Sequence, residues 1–264
     1  MITDLKELFA YRGIVFQLIL LSFKTQFRQS LIGPLWHILQ PLISSGVLFV
    51  IFNEILGTSK GIENPYLNFF SAVLFWNVFL QSFSTSSTVL EGNKHIFSKI
   101  YFPRIIPVLS NSGVTLFRFI LQLCIYFILY YFTEENFDII NQLNVLLISL
   151  ILFLHILMIG MTVGLVFASV SILYKDLLIA LPFFSNLLFF ATPIVYEVSA
   201  LPKYLLSFLS FNPLLTPIQF AKDLLRNNVD FDLNYINSLA ITFCMFFTSL
   251  LLFNRSSRKF VDTI

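Results

Sequence analysis

Six long apolar runs dominate this sequence and limit the folds open to it. They cover residues 34–56, 66–90, 104–132, 143–173, 177–196 and 235–254. Each run reaches the roughly 20 residues that a helix needs to cross a bilayer. Charged residues make up only 11% of the chain, against about 25% in a soluble domain, which excludes the ordinary soluble class. We therefore predict an all-α polytopic membrane protein with six transmembrane helices.

The positions of lysine and arginine predict how these helices are oriented. Short loops rich in Lys and Arg stay on the cytoplasmic side of a membrane. With the N-terminus inside, 11 of the 16 Lys and Arg residues fall in inner segments, 4 fall in outer segments and Arg118 lies within the third run. Both termini are therefore predicted to be cytoplasmic. The chain is expected to form one membrane domain, with interface segment 1–33, six-span region 34–254 and tail 255–264.

Polar residues interrupt the second and third runs at helical spacing. Asn77, Gln81, Ser84 and Thr88 are spaced i, i+4, i+7, i+11 and so share one stripe of a helix. Arg118 lies about 14 residues, or roughly 21 Å of helix, from the start of its run, which is deep for a charged group. The stripe therefore faces either other helices or a wet path, and Arg118 has either a structural partner or an anionic substrate.

Aromatic residues accompany this polar stripe. The candidates are Trp76 in the second run and Phe183, Phe184, Phe189 and Phe190 in the fifth. Aromatic faces can stack on sugar rings while polar side chains bond to sugar hydroxyls, so this combination suits a glycan path. The alternative for each aromatic residue is lipid contact or anchoring at the membrane interface.

Small residues mark one face of the fourth run. Gly160, Gly164 and Ala168 recur every four residues. Such a ridge lets two helix backbones approach closely, so it predicts helix packing.

Two segments near the predicted inner surface have an amphipathic character. Residues 14–30 place Gln17, Lys24 and Arg28 on one helix face, which is typical either of a helix along the headgroups or of the flank of a span. Residues 91–103 mix Lys94 and His95 with apolar side chains, which predicts a short docking helix for a partner or a loop resting on headgroups.

A third segment, residues 197–232, is predicted to be outside and is too apolar for a solvated loop. Its stretches 201–211 and 214–225 are each long enough for a short helix but not for a span. Asn212-Pro213 separates them, and Thr216, Pro217 and Gln219 match a capping box with proline at the first helical position. We predict a re-entrant hairpin whose second helix begins at Pro217.

Several chemistries lack their motifs in this sequence. No GxxxxGK[ST] phosphate loop, G-x-S-x-G or H-E-x-x-H occurs, and the two cysteines have no metal-ligand spacing, so no metal site is expected. A net charge of +2 gives no case for nucleic acid. Active transport would need its energy from another chain.

Four ordered stretches carry a family resemblance. They are residues 23–42 (FKTQFRQSLIGPLWHILQPL), 93–104 with the ending YFPR, 174–176 (YKD) followed by 192–196 (TPIVY), and 211–213 (FNP). The chain resembles the permease subunits of bacterial polysaccharide ABC exporters, those for O-antigen, teichoic acid and capsule. Lys175 stands where that family more often has arginine.

The resemblance implies a homodimer that docks on two copies of a separate ATPase, which would hold ATP and Mg while this chain binds no cofactor. It implies export of a lipid-linked polysaccharide, most simply O-antigen, across the bacterial inner membrane. The coupling segment would be Asn93, Lys94, His95, Ile96, Phe97, Ser98 and Lys99, with Lys24 and Arg28 on the interface helix. The outer gate would contain Asn212, Pro213, Thr216, Pro217 and Gln219.

Other functions fit parts of the sequence. An exporter of a drug or a lipid would share the architecture. A membrane-embedded glycosyl- or acyltransferase would need clustered His or carboxylate residues, whereas His37, His95 and His155 are scattered along the chain. A structural anchor predicts that Arg118→Ala leaves export unchanged.

Overall fold

The computed structural model describes residues 11–27, 32–57, 64–97, 102–133, 139–198, 201–225 and 233–261. These residues form helices and turns, with no strand among them. The helices are α1 (Arg12–Phe27), α2 (Trp36–Leu48), α3 (Pro65–Ser87), α4 (Val89–Gly92), α5 (Lys94–Phe97), α6 (Ile106–Thr133), α7 (Ile139–Ser171), α8 (Asp176–Phe190), α9 (Lys203–Leu209), α10 (Leu215–Leu225) and α11 (Leu233–Val261). A 3-10 turn, Gly33–Leu35, precedes α2, and a π-helical segment, Phe49–Ile55, follows it. The predicted all-α class is confirmed.

Five helical segments of the described chain are long and apolar enough to cross a membrane. They are Gly33–Ile55, Pro65–Ser87, Ile106–Thr133, Gln142–Ser171 and Leu233–Ser257. The fifth predicted run, 177–196, is helical only within α8, whose 15 residues cover about 22 Å, less than the roughly 30 Å of a hydrocarbon core. The chain turns after Phe190, just before Thr192-Pro193, because proline cannot donate the next helical hydrogen bond.

Helix α3 forms the centre of the bundle. Sixteen of its 23 residues are buried, and it packs against α2, α6, α7, α8 and α10. Its apolar core includes Phe70, Phe75, Phe79 and Phe83, all almost fully buried. The side chains that α3 presents therefore determine how the surrounding helices are arranged.

Helix α7 lies directly against α3 through its small residues. A Cβ atom added at Gly160 would lie 2.9 Å from the carbonyl oxygen of Phe79, and one added at Gly164 would lie 2.7 Å from that of Phe83. Real Cβ atoms are rarely this close to a carbonyl oxygen. The prediction that this ridge packs against another helix is confirmed.

The bundle has two ends, which are named here after the termini of α3. At the Pro65 end, the Asn68 amide donates to Oε1 of Glu197 at 3.4 Å, and α10 packs against α3 and α7. At the Ser87 end lie α4, α5 and the start of α6, and the Arg104 guanidinium donates to the carbonyl of Ser257 on α11. The two non-spanning segments between the runs therefore lie at opposite ends.

Candidate functional site

A polar cavity of about 440 Å³ opens between α2, α3, α6 and α8. Its polar lining consists of His37 and Gln40 from α2, Asn77, Gln81 and Ser84 from α3, Thr115, Arg118 and Gln122 from α6, and Ser185 and Asn186 from α8. Polar side chains avoid lipid because hydrocarbon offers them no hydrogen bonds. Four helices of an apolar bundle thus bring their polar residues to one space, which we call the polar cavity.

Arg118 provides the fixed positive charge of the polar cavity. Its Nη1 donates a hydrogen bond to Oε1 of Gln81, which joins α6 to α3. The Gln122 amide donates to the His37 carbonyl at 3.3 Å and joins α6 to α2. Gln81 is a neutral partner, and no acidic residue appears in the described lining. Arg118 therefore has a structural partner and also lines the polar cavity, and its contact with an anionic substrate stays a prediction.

The predicted stripe on α3 divides between two environments. Asn77, Gln81 and Ser84 line the polar cavity. Thr88 is exposed, and its hydroxyl donates to the Ser84 carbonyl at 3.0 Å. The adjacent Ser82 faces Gly160 of α7 instead. Helix packing is thus confirmed for one face of α3, and the neighbouring face lines the polar cavity, where a wet path stays a prediction.

The candidate aromatic residues surround α8 and are not among those lining the polar cavity. Trp76 is buried, and its ring contacts that of Phe189 edge-on at 5.4 Å. Phe184 packs edge-on against Phe167 at the same distance. Phe183 and Phe190 are exposed on α8. A stacking role for these aromatic rings stays a prediction.

The candidate coupling segment contains the very short helix α5, which follows α4 at the Ser87 end. The Asn93 amide donates to the Val89 carbonyl at 2.8 Å and connects α4 to α5. In α5, Lys94 and Ile96 are half-buried and His95 is exposed. The Phe97 ring lies 5.4 Å from Phe102, which precedes α6.

The other coupling candidates lie partly beyond these helices. Lys24 is exposed near the end of α1. Arg28, Ser98 and Lys99 lie outside the described residues. Contact with an ATPase stays a prediction for the whole set.

Asn212 fixes the break in the candidate gate. Its Nδ2 donates to the Ala191 carbonyl at 2.9 Å and to the Thr192 hydroxyl at 3.0 Å, while its Oδ1 accepts from the Leu214 N–H. The helix–break–helix pattern is confirmed, but α10 begins at Leu215 and not at Pro217. The capping-box prediction was wrong about the start because Asn212, not Thr216, accepts the N–H at this turn.

A buried charge holds α10 to the rest of the Pro65 end. Lys222 is 3% exposed, and its Nζ lies 3.6 Å from Oε1 of Glu197. The same Nζ donates to the Tyr196 carbonyl at 3.1 Å. Since Asn68 of α3 donates to the same Glu197 oxygen, α3, α10 and the chain after α8 meet at one polar junction.

Sequence reasoning missed part of the polar cavity and part of the polar junction around Lys222. It did not select His37, Gln40, Ser185 or Asn186 as cavity residues, nor Lys222 as a buried cation. Each is a polar residue inside an apolar stretch, which is the signal that could have selected them. Their convergence depends on how separate helices pack, which spacing within one run does not show.

Comparison with known proteins identifies relatives along most of the chain. The sequence model of the family described as ABC-2 type transporter matches residues 15–223. The chain is 24% identical over 259 residues to the O-antigen export system permease protein RfbA of Klebsiella pneumoniae, covering 96% of both chains. It is 26% identical to the protein of that name from Myxococcus xanthus, over 76% of this chain and 75% of the relative. It is 25% identical to the polysialic acid transport protein KpsM of Escherichia coli, over 78% of each.

Proposed function

This chain belongs to the ABC-2 type transporter family, and we propose that it moves a lipid-linked polysaccharide of the O-antigen type out of the cytoplasm. As a member of this family it is the membrane subunit of a transporter and not an enzyme. The observation that carries the proposal is its similarity to an O-antigen export permease along 96% of both chains. The polar cavity supports it, because a hydroxyl-rich cargo needs hydrogen-bonding groups inside an apolar bundle.

The family implies a partner ATPase subunit, which supplies the phosphate-binding motif that this sequence lacks. In our proposal two copies of that ATPase hold ATP and Mg and associate with a homodimer of this chain. Gln40 and Asn186 line the polar cavity yet are exposed in one copy. Because amide groups are unfavourable against lipid, a second copy covering this side would account for their exposure.

In the proposed orientation, the Ser87 end faces the cytoplasm of a bacterial cell and the Pro65 end faces outward across the inner membrane. The α4–α5 turn is then available to the ATPase. The α9–α10 hairpin lies at the exit, where it serves as the outer gate. This arrangement follows the distribution of Lys and Arg between the two sides.

A mechanical route connects the α4–α5 turn to the polar cavity. The turn is continuous with α3 through α4, and Phe97 contacts Phe102 just before α6. Helices α3 and α6 carry Gln81 and Arg118, which are hydrogen-bonded to each other. A push on the turn when the ATPases close would therefore move both walls of the cavity and change its access.

The decisive experiment deletes the gene in the source bacterium. We expect lipid-linked glycan to accumulate inside the cell and surface polysaccharide to fall, with both effects reversed by the wild-type gene. Lipid-linked glycan is quantified by lipid extraction followed by mass spectrometry. A deletion strain with unchanged internal glycan would instead favour an exporter of a drug or another lipid.

A further inference from the structure

A second cavity, of about 520 Å³, lies at the Pro65 end between α10, α11 and the link before α10. Its volume falls within the roughly 300–1,000 Å³ of small-molecule sites. None of its lining residues belongs to the polar cavity. We call it the α10–α11 cavity.

Two polar stripes form the opposing walls of this cavity. Thr216, Gln219 and Asp223 are spaced i, i+3, i+7 and share one face of α10. Asn234 and Asn237 occupy the first turns of α11, where a spanning helix enters the headgroup region, and both are exposed. The cavity therefore offers amide, hydroxyl and carboxylate groups at the membrane surface.

Internal contacts hold the floor and side of the α10–α11 cavity in place. The Thr242 hydroxyl is 3.1 Å from Nε2 of His155 and donates to the Ser238 carbonyl at 2.9 Å. Phe220 stacks on Tyr235 with ring centroids 4.3 Å apart. These lining groups come from two helices packed on α7, so the cavity is shaped before any ligand arrives.

The chemistry of the lining selects a class of ligand. Amide and hydroxyl groups both donate and accept hydrogen bonds, as sugar hydroxyls require, and Asp223 adds a strong acceptor. Phe211 is 87% exposed and lines the cavity, so its ring face is open to the C–H face of a sugar. No Lys or Arg appears in the lining within the described part of the chain, and Asp223 repels phosphate and acidic groups.

We propose that the α10–α11 cavity binds an uncharged or amino sugar ring of the exported polysaccharide as the chain leaves the membrane. The inference rests on the proposed function, and it adds an exit site at the Pro65 end of the subunit. Binding there would hold the emerging chain and oppose its return. It also predicts that acidic sugars enter less readily than neutral ones.

Site-specific photo-crosslinking in living cells tests this proposal. A benzophenone amino acid is placed at Asn237 or at Thr216 on the facing wall, in cells that carry the complete exporter. The same probe at Asn186, in the polar cavity, reports on the proposed function. The probe at Leu251, exposed on the far half of α11, is the background control.

We expect glycan-bearing adducts at 237 or 216, well above those at 251, that disappear when the glycosyltransferases for the polymer are deleted. With the probe at 237, Asp223→Asn should lower the yield about fivefold, because hydrogen bonds to a charged group are roughly twice as strong as neutral ones. Adducts at 186 without any at 237 or 216 would overturn the exit site and leave the proposed function intact. Adducts at none of the three positions would overturn both. Adducts at 237 that persist without glycan synthesis would overturn the assignment to the exported chain.

Discussion

At the scale of single residues, Arg118 shows how one side chain can serve structure and transport together. Its guanidinium bonds to Gln81 and also lines the polar cavity. Placing a charged side chain inside a membrane bundle is costly, so an intramembrane arginine is by default a candidate for function. A guanidinium in the polar cavity suits the phosphate groups of a lipid carrier, because its planar fork matches phosphate oxygens.

We predict that Arg118→Met lowers export about tenfold or more, since a hydrogen bond to a charged group contributes roughly 1.5–3 kcal/mol. The export rate of Arg118→Lys should lie between those of the wild type and Arg118→Met, because lysine keeps the charge but lacks the planar fork of the guanidinium. Export is measured as surface polysaccharide against time in the complemented deletion strain, with subunit amounts checked by immunoblot.

Gln81→Leu is the matched control, because it removes the hydrogen-bond acceptor and leaves the charge. It should reduce export less than Arg118→Met does. Export at the wild-type rate in Arg118→Met would assign this residue a structural role only.

The pair formed by Lys222 and Glu197 should respond unequally to its two single substitutions. Lys222 is 3% exposed and Glu197 27%, so water can reach the carboxylate far better than the ammonium. Glu197→Gln leaves the buried Lys222 ammonium facing a neutral amide and should cost about 3 kcal/mol of unfolding free energy, whereas Lys222→Met should cost less because it leaves a carboxylate that water can reach. Thermal unfolding of the purified subunit in detergent measures both.

The double variant Lys222→Met with Glu197→Gln provides the control for that comparison. It should be more stable than Glu197→Gln alone, because neither charge of this pair remains. Equal losses in the two single variants would show that exposure does not determine the cost of breaking this pair.

At the scale of helices, the contact between α3 and α7 depends on two glycines. A Cβ at Gly164 would lie 2.6 Å from Cβ of Ser86 and 2.7 Å from a backbone oxygen that cannot rotate away. We predict that Gly164→Ala destabilises the subunit by about 1–3 kcal/mol, the usual cost of overpacking. The loss is measured as a lower unfolding midpoint in detergent.

Gly13→Ala in α1 is the matched control, since nothing lies within 4 Å of its added Cβ. It should be neutral or slightly stabilising, because alanine favours helix over glycine by roughly 0.5–1 kcal/mol. At Gly160 the nearest atom is the Ser82 hydroxyl oxygen, so Ser82→Ala should partly rescue Gly160→Ala but not Gly164→Ala. If Ser82→Ala rescued both glycine variants, the steric conflict would not lie at the atoms named here.

The α4–α5 turn should transmit the action of the ATPase. We predict that replacing Lys94 and His95 with glutamate lowers glycan export and its dependence on ATP hydrolysis in the assembled complex. Lys203→Glu is the matched control, because Lys203 is exposed at the opposite end of the bundle. If ATP hydrolysis and export both survive the replacements in the turn, the coupling assignment is wrong.

Several elements could be predicted from the sequence because their cause is local. The Gly160 and Gly164 ridge follows from spacing alone, as does the break at Asn212-Pro213. The start of α10 could not, because the Asn212 amide is positioned by the carbonyl of Ala191, 21 residues away in sequence. The sequence predicted the part of the polar cavity formed by Asn77, Gln81 and Ser84, because these residues share one face of a helix. It did not predict that Gln40 and Asn186 line the same cavity, because they reach it only through the packing of separate helices.

At the scale of the whole molecule, the direction of transport depends on which end of the bundle faces the cytoplasm. The count of 11 inner against 4 outer Lys and Arg residues predicts that the Ser87 end is inside. His95 in α5 and Tyr204 in α9 are exposed at opposite ends. They therefore provide two reporter positions for one test.

Single cysteines at 95 and 204 measure this orientation once Cys124 and Cys244, both exposed, have been replaced by serine. In intact cells a membrane-impermeant maleimide should label the Tyr204→Cys variant. The His95→Cys variant should be labelled only after the membrane is opened, because its thiol faces the cytoplasm. A labelling pattern with the positions exchanged would invert the molecule, and the ATPase would then have to bind at the α9–α10 hairpin. That outcome would overturn the coupling assignment, because the α4–α5 turn would lie on the side without ATP.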